Sequence, residues 1–472
     1  MELTAGSLYG LVMASKATVR AAPRPASRVQ PKSRPYSEYR RLIPVMVLLY
    51  AALVPYEARA QIGGQALYLY RIVIIALIPW IVSAFVSRRV KWGPLDALLF
   101  LAAFWMPASF IYTYGPVDGI TRGGALALDT LGAYLIGRTC IRDSDDLRRV
   151  LILFAPGLFL AGLSVAAEAI SHRQIVKPLA EAIFGSRANF EGIRDTAKID
   201  IRLGLLRSAG PFPHPILAGV VLVSAMAIYL NSGLRKWPFF GGVAGGLLAV
   251  FTVSSSALFG LVIVCGATFY DRFHRLVSFL SWRLVLGGTA IVLLVLQLAT
   301  SNGVIALLGR LTLDPQTAYY RRLTWHFAGE AVADNPVFGI GFEEFARPAW
   351  MSTSVDAHWL NLALKHGLPV PVALLVLAVT ICFLLAQLAM ARRHEVERRL
   401  YVGCIVSLGT ISLLGFTVSF YGGPLIWYCA LLGMLGSLAA HGVLQRKSIA
   451  APGGANRRAA TRQPDKRIVV RP

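Results

Sequence analysis

Residues 366–391 read HGLPVPVALLVLAVTICFLLAQLAMA and contain no Asp, Glu, Lys or Arg. A helix needs about 20 apolar residues to cross the hydrocarbon core of a bilayer, so this stretch predicts a transmembrane helix. Comparable runs recur along the chain, which is 56% hydrophobic and 15% charged and has a mean hydropathy of +0.59. Soluble domains carry about 25% charged residues. The sequence therefore predicts an all-α, polytopic membrane protein.

The predicted membrane domain covers residues 42–444 and contains about twelve transmembrane helices. We place them at 42–56, 65–86, 95–114, 123–141, 150–170, 214–232, 238–254, 256–271, 283–303, 366–391, 400–420 and 424–443. Basic tails at 1–41 and 445–472 flank this domain, and we expect both to be disordered and cytoplasmic.

The short loops rich in lysine and arginine fall on one alternating set, which the positive-inside rule assigns to the cytoplasm. They carry Arg88, Arg89, Lys91, Arg142, Arg148, Arg149, Arg235, Lys236, Arg272, Arg275, Arg392, Arg393, Arg398 and Arg399. The two long loops, about 171–213 and 304–360, are therefore expected on the outer side. The formal net charge of +23 is mostly juxtamembrane, so topology and anionic lipid headgroups explain it better than nucleic-acid binding does.

The first long loop is basic although it is predicted to lie outside. It carries Arg173, Lys177, Arg187, Arg194, Lys198, Arg202 and Arg207 against four acidic residues. The positive-inside rule does not explain these lysines and arginines, so we interpret them as a sign of an anionic substrate. The loop ends in RSAGPFPHP at residues 207–215, where Gly210 and the prolines predict a stiff turn. Such a turn would hold Arg207 at the membrane surface, where a guanidinium pairs bidentately with phosphate. A snorkelling arginine on lipid phosphate is the alternative.

The second long loop contains YYRRLTWHF at residues 319–327. Arg321 and Trp325 are four residues apart and therefore share one helical face. An interfacial amphipathic helix with its tryptophan at the headgroup level is the alternative. Asn335-Pro336 predicts the end of this helix, because proline disfavours helical geometry in the residue before it. A glycine-bearing turn, VFGIGF at 337–342, follows.

His358 lies where the second loop returns to the membrane, two residues after Asp356. Histidine titrates near neutral pH and can take a proton from an attacking hydroxyl. A capping or interfacial histidine is the alternative, and three other histidines compete for a catalytic role: His214, His326 and His366. No HxxxH-type spacing is present, which disfavours a metal site.

Two charges within the predicted spans, Arg71 and Asp129, are candidates for an ion pair. A charge at mid-bilayer costs about 2.5–3.5 kcal/mol on insertion scales, so it usually has a partner. The acidic string at residues 143–146, DSDD, is similar to a motif of nucleotide-sugar enzymes, but its predicted cytoplasmic position favours use as a helix cap.

Three segments, in this order, resemble motifs of the O-antigen ligase and polysaccharide polymerase family of membrane glycosyltransferases. Residues 207–215 resemble its Arg-x-x-Gly-Thr-Phe-x-Asn-Pro turn. Residues 321–341 look like its Arg-x-x-x-Trp and Pro-Leu-x-Gly-Val-Gly strings, and residues 357–368 resemble its Ala-His-Asn-x-x-Leu segment. The chain departs from the family at Trp359 and His214, where asparagine is usual, and at residues 254–257, SSSA, which lack an arginine.

The resemblance implies an inverting glycosyltransferase at the periplasmic face of a bacterial inner membrane, with a polyprenyl-diphosphate-linked glycan as donor and a second glycan as acceptor. It implies catalytic roles for Arg207, Arg321 and His358, the histidine acting as base or orienting the acceptor. Substrate-binding roles are implied for Arg322, His214, Gly210, Phe212, Trp325, Gly339 and Gly341. No nucleotide, metal or other cofactor is implied. The lipid bilayer and a chain-length regulator or flippase would be further partners.

Three functions remain open at this point. A polymerase would join lipid-linked repeat units into a surface or exopolysaccharide, whereas a ligase would pass the glycan to lipid A core or to protein. The two differ only in the acceptor. A transporter or flippase is the third candidate, but transporters contain internal repeats and broken helices near the midplane, and neither feature is clear here.

Overall fold

The computed structural model describes residues 37–62, 65–87, 90, 92–184, 201–273, a few positions between 287 and 298, 315–392 and 394–450. The chain divides into two units, Met1–Glu38 and Tyr39–Pro472, and the second carries the fold. Several predictions fall outside the described residues: the tails at 1–36 and 451–472, most of the span at 283–303, and the loop positions 185–200 and 304–314.

The described residues form fourteen α-helices. The first nine are α1 (Ser37–Ala52), α2 (Leu69–Val86), α3 (Pro94–Tyr114), α4 (Pro116–Cys140), α5 (Ser144–Ser171), α6 (Val176–Phe184), α7 (Pro215–Asn231), α8 (Lys236–Leu247) and α9 (Ser255–Phe273). The other five are α10 (Pro315–Asp334), α11 (His358–His366), α12 (Pro369–Ala391), α13 (Glu395–Leu414) and α14 (Gly423–Ala450). A 3-10 helix, Leu248–Thr252, extends α8.

Six of the described helices are long and apolar enough to cross a membrane. They are Leu69–Val86, Pro94–Tyr114, Ser144–Ser171, Ser255–Phe273, Pro369–Ala391 and Gly423–Leu444, and Pro215–Asn231 is a shorter apolar helix. The chain is thus a mostly helical membrane protein, as the sequence predicts. A helix lies at each predicted span that the described residues cover; most of 283–303 lies outside them.

Two small antiparallel hairpins interrupt the predicted all-α architecture. Strands β1 (Arg59–Ile62) and β2 (Gln65–Tyr68) pair between α1 and α2, with Arg59 opposite Tyr68. Strands β3 (Ile201–Arg202) and β4 (Leu205–Leu206) pair just before Arg207. The first hairpin takes residues that the sequence assigned to the second span. The helix of that span therefore begins at Leu69, because residues 65–68 form a strand that pairs with β1.

Residues 116–122, which the sequence leaves between the third and fourth predicted spans, belong to α4, because this helix begins at Pro116. A proline at the first helical position has the φ angle that a helix needs. Gly119 and Gly123 let α4 pack against the backbone of α3. A β-carbon at position 123 would lie 2.6 Å from Cα of Pro107. Glycine is required there by close helix packing, which sequence composition alone does not distinguish from a turn.

The helices of the bundle meet in two sets of contacts at opposite ends. At the first, the basic end, Arg148 Nε donates to Ser232 O (3.0 Å) and Arg398 Nη1 to Asp271 Oδ1 (3.1 Å). Asp143 caps α5 there, accepting from the backbone N–H of Asp145 and of Asp146, as predicted. The second, the loop end, lies about 40 Å away along the 28-residue α5. The C-terminus of α5 and the N-termini of α7 and α11 lie at this loop end.

The predicted pair of charges within the spans forms in the structure. Arg71 on α2 donates from Nε to Asp129 Oδ1 (2.9 Å) and from Nη2 to Asp129 Oδ2 (2.6 Å). The side chains are 13% and 5% exposed, so this bidentate pair lies within the helix bundle. It links α2 to α4 across an otherwise apolar contact.

Asp129→Ala is expected to lower the free energy of unfolding by about 3–5 kcal/mol, because it removes the carboxylate that faces a buried guanidinium. The double variant Arg71→Met/Asp129→Leu should recover most of this loss, since it removes both charges and keeps side-chain volume. Thermal unfolding of the detergent-solubilised protein measures both. Equal stability of the single and double variants would show that the loss does not come from an unpaired buried guanidinium.

Candidate functional site

The turn that follows Arg207 is built around one glycine and one buried acid. Gly210 has φ +54°, and a β-carbon there would lie 2.6 Å from Ser164 Oγ on α5. Glycine tolerates this left-handed conformation because it has no β-carbon. Glu168, in the last turn of α5, accepts hydrogen bonds from Ser208 Oγ (2.6 Å) and from Gly210 N (3.0 Å). The turn is therefore anchored to α5 rather than free in the loop.

A second contact fixes the proline end of the same turn. Lys177 on α6 is 8% exposed, and its Nζ donates to Pro213 O (3.0 Å). Burial lowers the pKa of this ammonium, and the nearby carboxylates of Glu57 and Glu168 oppose the shift. His214 caps α7, its Nδ1 accepting from Ile216 N (3.2 Å). That nitrogen of the predicted substrate-binding histidine thus serves as a helix cap.

The α10 helix presents one face to the rest of the molecule. Arg321 and Trp325 share this face with the buried Ala328 and Val332. Trp325 donates from Nε1 to Phe416 O (3.3 Å) and stacks on the Phe416 ring, with centroids 6.3 Å apart. Trp325 therefore helps to hold α10 against the segment between α13 and α14.

The two adjacent arginines of α10 have different surroundings. Arg321 is half-buried on the packed face, whereas Arg322, the next residue, is exposed. Successive residues on a helix point in different directions, so the two guanidinium groups do not form one clamp. Arg321 is the member of the pair that lies within the protein.

The arginines of the two long loops meet at the loop end. Burial lowers the pKa of the Arg321 guanidinium, Asp356 opposes this shift, and the like charges of Arg207 and Arg202 lower the pKa further. Two further guanidinium groups and one carboxylate therefore lie within electrostatic range of Arg321. Within the described part of the chain, Arg321 Nε is buried and has no hydrogen-bond partner. We call Arg202, Arg207, Arg321 and Asp356 the arginine cluster.

His358 begins α11, two residues after Asp356, and is 3% exposed. Its Nδ1 accepts a hydrogen bond from Phe420 N (3.3 Å), which assigns the proton of the neutral ring to Nε2. Nε2 is buried and has no hydrogen-bond partner among the described residues. Burial, together with the charge of Lys365, lowers the pKa of this imidazole to about 3. The side chain is thus a neutral donor, which favours the orienting role over that of a base.

The segment at 415–422 supports this histidine. The sequence predicted a span through residue 420, but α13 ends at Leu414. The released carbonyl groups of Gly415 and Val418 accept from His358 N at 2.7 and 3.1 Å. The end of α13 thereby becomes part of the site.

Gly339 and Gly341 hold the turn after α10 against two other helices. Both have positive φ, +69° and +68°. Ile340 N donates to Leu364 O (2.7 Å) on α11, and a β-carbon on Gly339 would overlap the same carbonyl oxygen. A β-carbon on Gly341 would lie 2.5 Å from the Tyr114 hydroxyl oxygen on α3. These glycines position α10 relative to α11. The atoms next to them belong to other residues of the protein, Leu364 for Gly339 and Tyr114 for Gly341.

Gly339→Ala is expected to lower the free energy of unfolding by about 2 kcal/mol or more, because alanine combines a strained φ with steric overlap. Gly329→Ala is the matched control. It lies within α10, no atom comes within 4 Å of its added β-carbon, and alanine there favours the helix. Thermal unfolding of both variants in detergent tests this. Equal destabilisation by the two alanines would contradict the docking role of the turn.

The remaining predicted residue, Phe212, is 2% exposed and lies in the hydrophobic core. Sequence reasoning did not select three residues that shape the site: Glu168, Lys177 and Asp356. An acid such as Glu168 within an apolar stretch is a signal of the kind that singled out Arg71 and Asp129. A search of the whole chain for charged residues within apolar stretches would therefore also select Glu168.

No protein-family model matches the chain, and no curated protein matches it. Within the described residues, no group of three or more His, Cys, Asp or Glu side chains is arranged to hold a metal ion. The chemistry of the site is therefore inferred from the arginine cluster and His358.

Proposed function

We propose that this chain is a membrane glycosyltransferase that polymerises polyprenyl-diphosphate-linked oligosaccharide repeat units into a surface or exopolysaccharide. The observation that carries the proposal is that Arg207 and Arg321, from two separate loops, lie within electrostatic range of each other and of Asp356, two residues before the buried His358. Like charges repel, so their assembly in a half-buried site is typical of anion binding. The resemblance of residues 207–215, 321–341 and 357–368 to the O-antigen ligase and polymerase family names the anion as a diphosphate.

In this proposal the helices form about twelve spans of a bacterial inner membrane, with both termini in the cytoplasm. The loop end then faces the periplasm, where lipid-linked glycans are assembled. The separation of the basic end from the loop end supports this orientation, because the positive-inside rule places the arginines of the short loops in the cytoplasm.

The proposed reaction transfers a glycan from one lipid diphosphate to another lipid-linked unit. A hydroxyl oxygen of the acceptor attacks the anomeric carbon, and the bond from that carbon to the diphosphate oxygen breaks with its electron pair on the diphosphate. Arg207 and Arg321 stabilise the charge that develops there. Asp356, exposed beside Arg321, takes the hydroxyl proton. Attack from the face opposite the diphosphate inverts the anomeric centre.

His358 contributes a hydrogen-bond donor rather than a base in this scheme. Its Nε2–H has no partner in the described part of the chain, and its Nδ1 is occupied by Phe420 N–H. A buried donor of this kind orients an oxygen of the substrate in a site of low dielectric, where hydrogen bonds are strong.

Gel analysis of lipid-linked and surface glycan in a deletion strain tests the proposal. The strain is complemented with the wild-type chain or with the Arg207→Ala variant at matched protein levels. Accumulation of single repeat units on the lipid carrier supports a polymerase. Accumulation of long lipid-linked chains would instead indicate a ligase, and unchanged glycan in both fractions would overturn the glycosyltransferase assignment and favour transport.

A further inference from the structure

Glu168 is a buried acid whose side chain, among the described residues, accepts hydrogen bonds only from the first long loop. It lies in the last turn of α5 and is 2% exposed. Its Oε1 accepts from Ile175 N and Val176 N, both at 2.9 Å, at the start of α6. Its Oε2 accepts from Ser208 Oγ (2.6 Å) and Gly210 N (3.0 Å). One carboxylate thus joins two distant segments of the loop.

The arrangement uses the full acceptor capacity of an ionised carboxylate. Each carboxylate oxygen has two lone pairs, and here each receives two donors. Hydrogen bonds to a charged acceptor are shorter and roughly twice as strong as neutral ones. The residue before Ser208 is Arg207, so the carboxylate fixes the backbone immediately next to the guanidinium-bearing residue.

We propose that Glu168 is a positioning residue that holds Arg207 in the arginine cluster. This inference rests on the proposed function, in which Arg207 binds the diphosphate. Without the carboxylate, the segment from Ser208 to Gly210 loses its anchor on α5, and Arg207 loses its fixed direction towards Arg321. Glu168 does not touch the anion itself.

Glu168→Gln is the discriminating substitution. Glutamine keeps the size of the side chain, but its NH2 group is a donor. Among the four partners only the Ser208 hydroxyl can also accept, so the NH2 group faces Ser208 Oγ and opposes the N–H of Gly210. Glu168→Asp keeps the charge with a shorter reach and should give an intermediate effect. Glu181→Gln on α6 is the matched control, because that carboxylate is exposed.

The first readout needs no ligand. Hydrogen exchange of the full-length protein in detergent, followed at residues 175–176 and 208–210, reports whether these amides are held. We expect Gly210 N–H to exchange at least about ten times faster in Glu168→Gln and Glu168→Asp to be intermediate, with Glu181→Gln unchanged. Unchanged exchange of Gly210 in Glu168→Gln would overturn the proposal.

The second readout is binding of inorganic pyrophosphate to the same protein, measured in a double-mutant cycle. We expect Glu168→Gln to weaken binding about tenfold in the wild-type background and in the Arg321→Ala background, but to have no further effect in Arg207→Ala. An equal loss in all three backgrounds would mean a general structural role and overturn the proposal.

The two readouts separate failure of this inference from failure of the proposed function. A wild-type protein that does not bind pyrophosphate would argue against the diphosphate site and against Arg207 as its ligand, which also removes the positioning role from Glu168. Pyrophosphate binding that is unaffected by Glu168→Gln would overturn this inference alone.

Discussion

Arg321→Ala is expected to reduce glycan polymerisation by at least about 100-fold, because loss of one charge-stabilising donor typically costs 10²–10³ in rate. Arg321 lies on the packed face of α10, within electrostatic range of Arg207 and Arg202. Arg321→Lys should recover only part of the activity, since lysine keeps the charge but loses the planar fork that binds two oxygens. Polymer formed per unit of membrane-inserted protein measures all three forms.

Two exposed arginines serve as controls for this prediction. Arg322→Ala removes the same charge from an exposed position on the same helix, so we expect less than a tenfold loss. Arg173→Ala removes an exposed charge from the first long loop and should leave activity close to wild type. Equal losses in Arg321→Ala and Arg173→Ala would mean that net positive charge matters rather than the arginine cluster.

Much of the architecture follows from the sequence because it depends on local rules. Apolar runs of about 20 residues predicted helices at the positions where the structure has them, and Asn335-Pro336 ends α10 at Asp334. The ion pair of Arg71 and Asp129 was predictable because the membrane penalises isolated charges. These inferences need no knowledge of which helices touch.

The parts that sequence reasoning missed depend on contacts between distant residues. Gly119 was left between two predicted spans, although it belongs to α4 and serves close packing against α3. The second span begins later than predicted because residues 65–68 pair as a strand. Helix α13 ends earlier than predicted, and the carbonyl group of Gly415 beyond its end accepts a hydrogen bond from His358 N. Hydrogen-bonding partners such as these have no signature in periodicity.

The candidate site shows the same division. The order of the motifs singled out Arg207, Arg321 and His358, and the structure brings the two arginines into electrostatic range. The tautomer of His358 could not be predicted, because it depends on a backbone N–H sixty-two residues away at Phe420. Motif analysis suggests which residues belong together, whereas the direction of each hydrogen bond decides what they can do.

His358→Ala is expected to reduce polymerisation by about 100-fold, whereas His358→Gln should retain about a tenth of the activity, because glutamine can still donate a hydrogen bond. If His358 were instead the catalytic base, both variants would be equally inactive, because neither alanine nor glutamine can take up the proton. Activity assays between pH 5 and 8 add a second criterion. Burial lowers the pKa of His358 to about 3, so this side chain contributes no loss of activity near pH 6.5. His326→Gln is the control, since His326 is exposed.

The lowered pKa of His358 also makes the folded protein less stable as the pH falls. Below its ordinary pKa of 6.5, the unfolded chain binds a proton at His358 that the folded chain excludes until about pH 3. The contribution of this residue to the free energy of unfolding is therefore complete above pH 6.5 and falls by about 2 kcal/mol between pH 7 and pH 5. His358→Gln should flatten this dependence. An unaltered pH dependence of unfolding in His358→Gln would mean that His358 is protonated in the folded protein, and the donor role with Nδ1 bonded to Phe420 N–H would then be wrong.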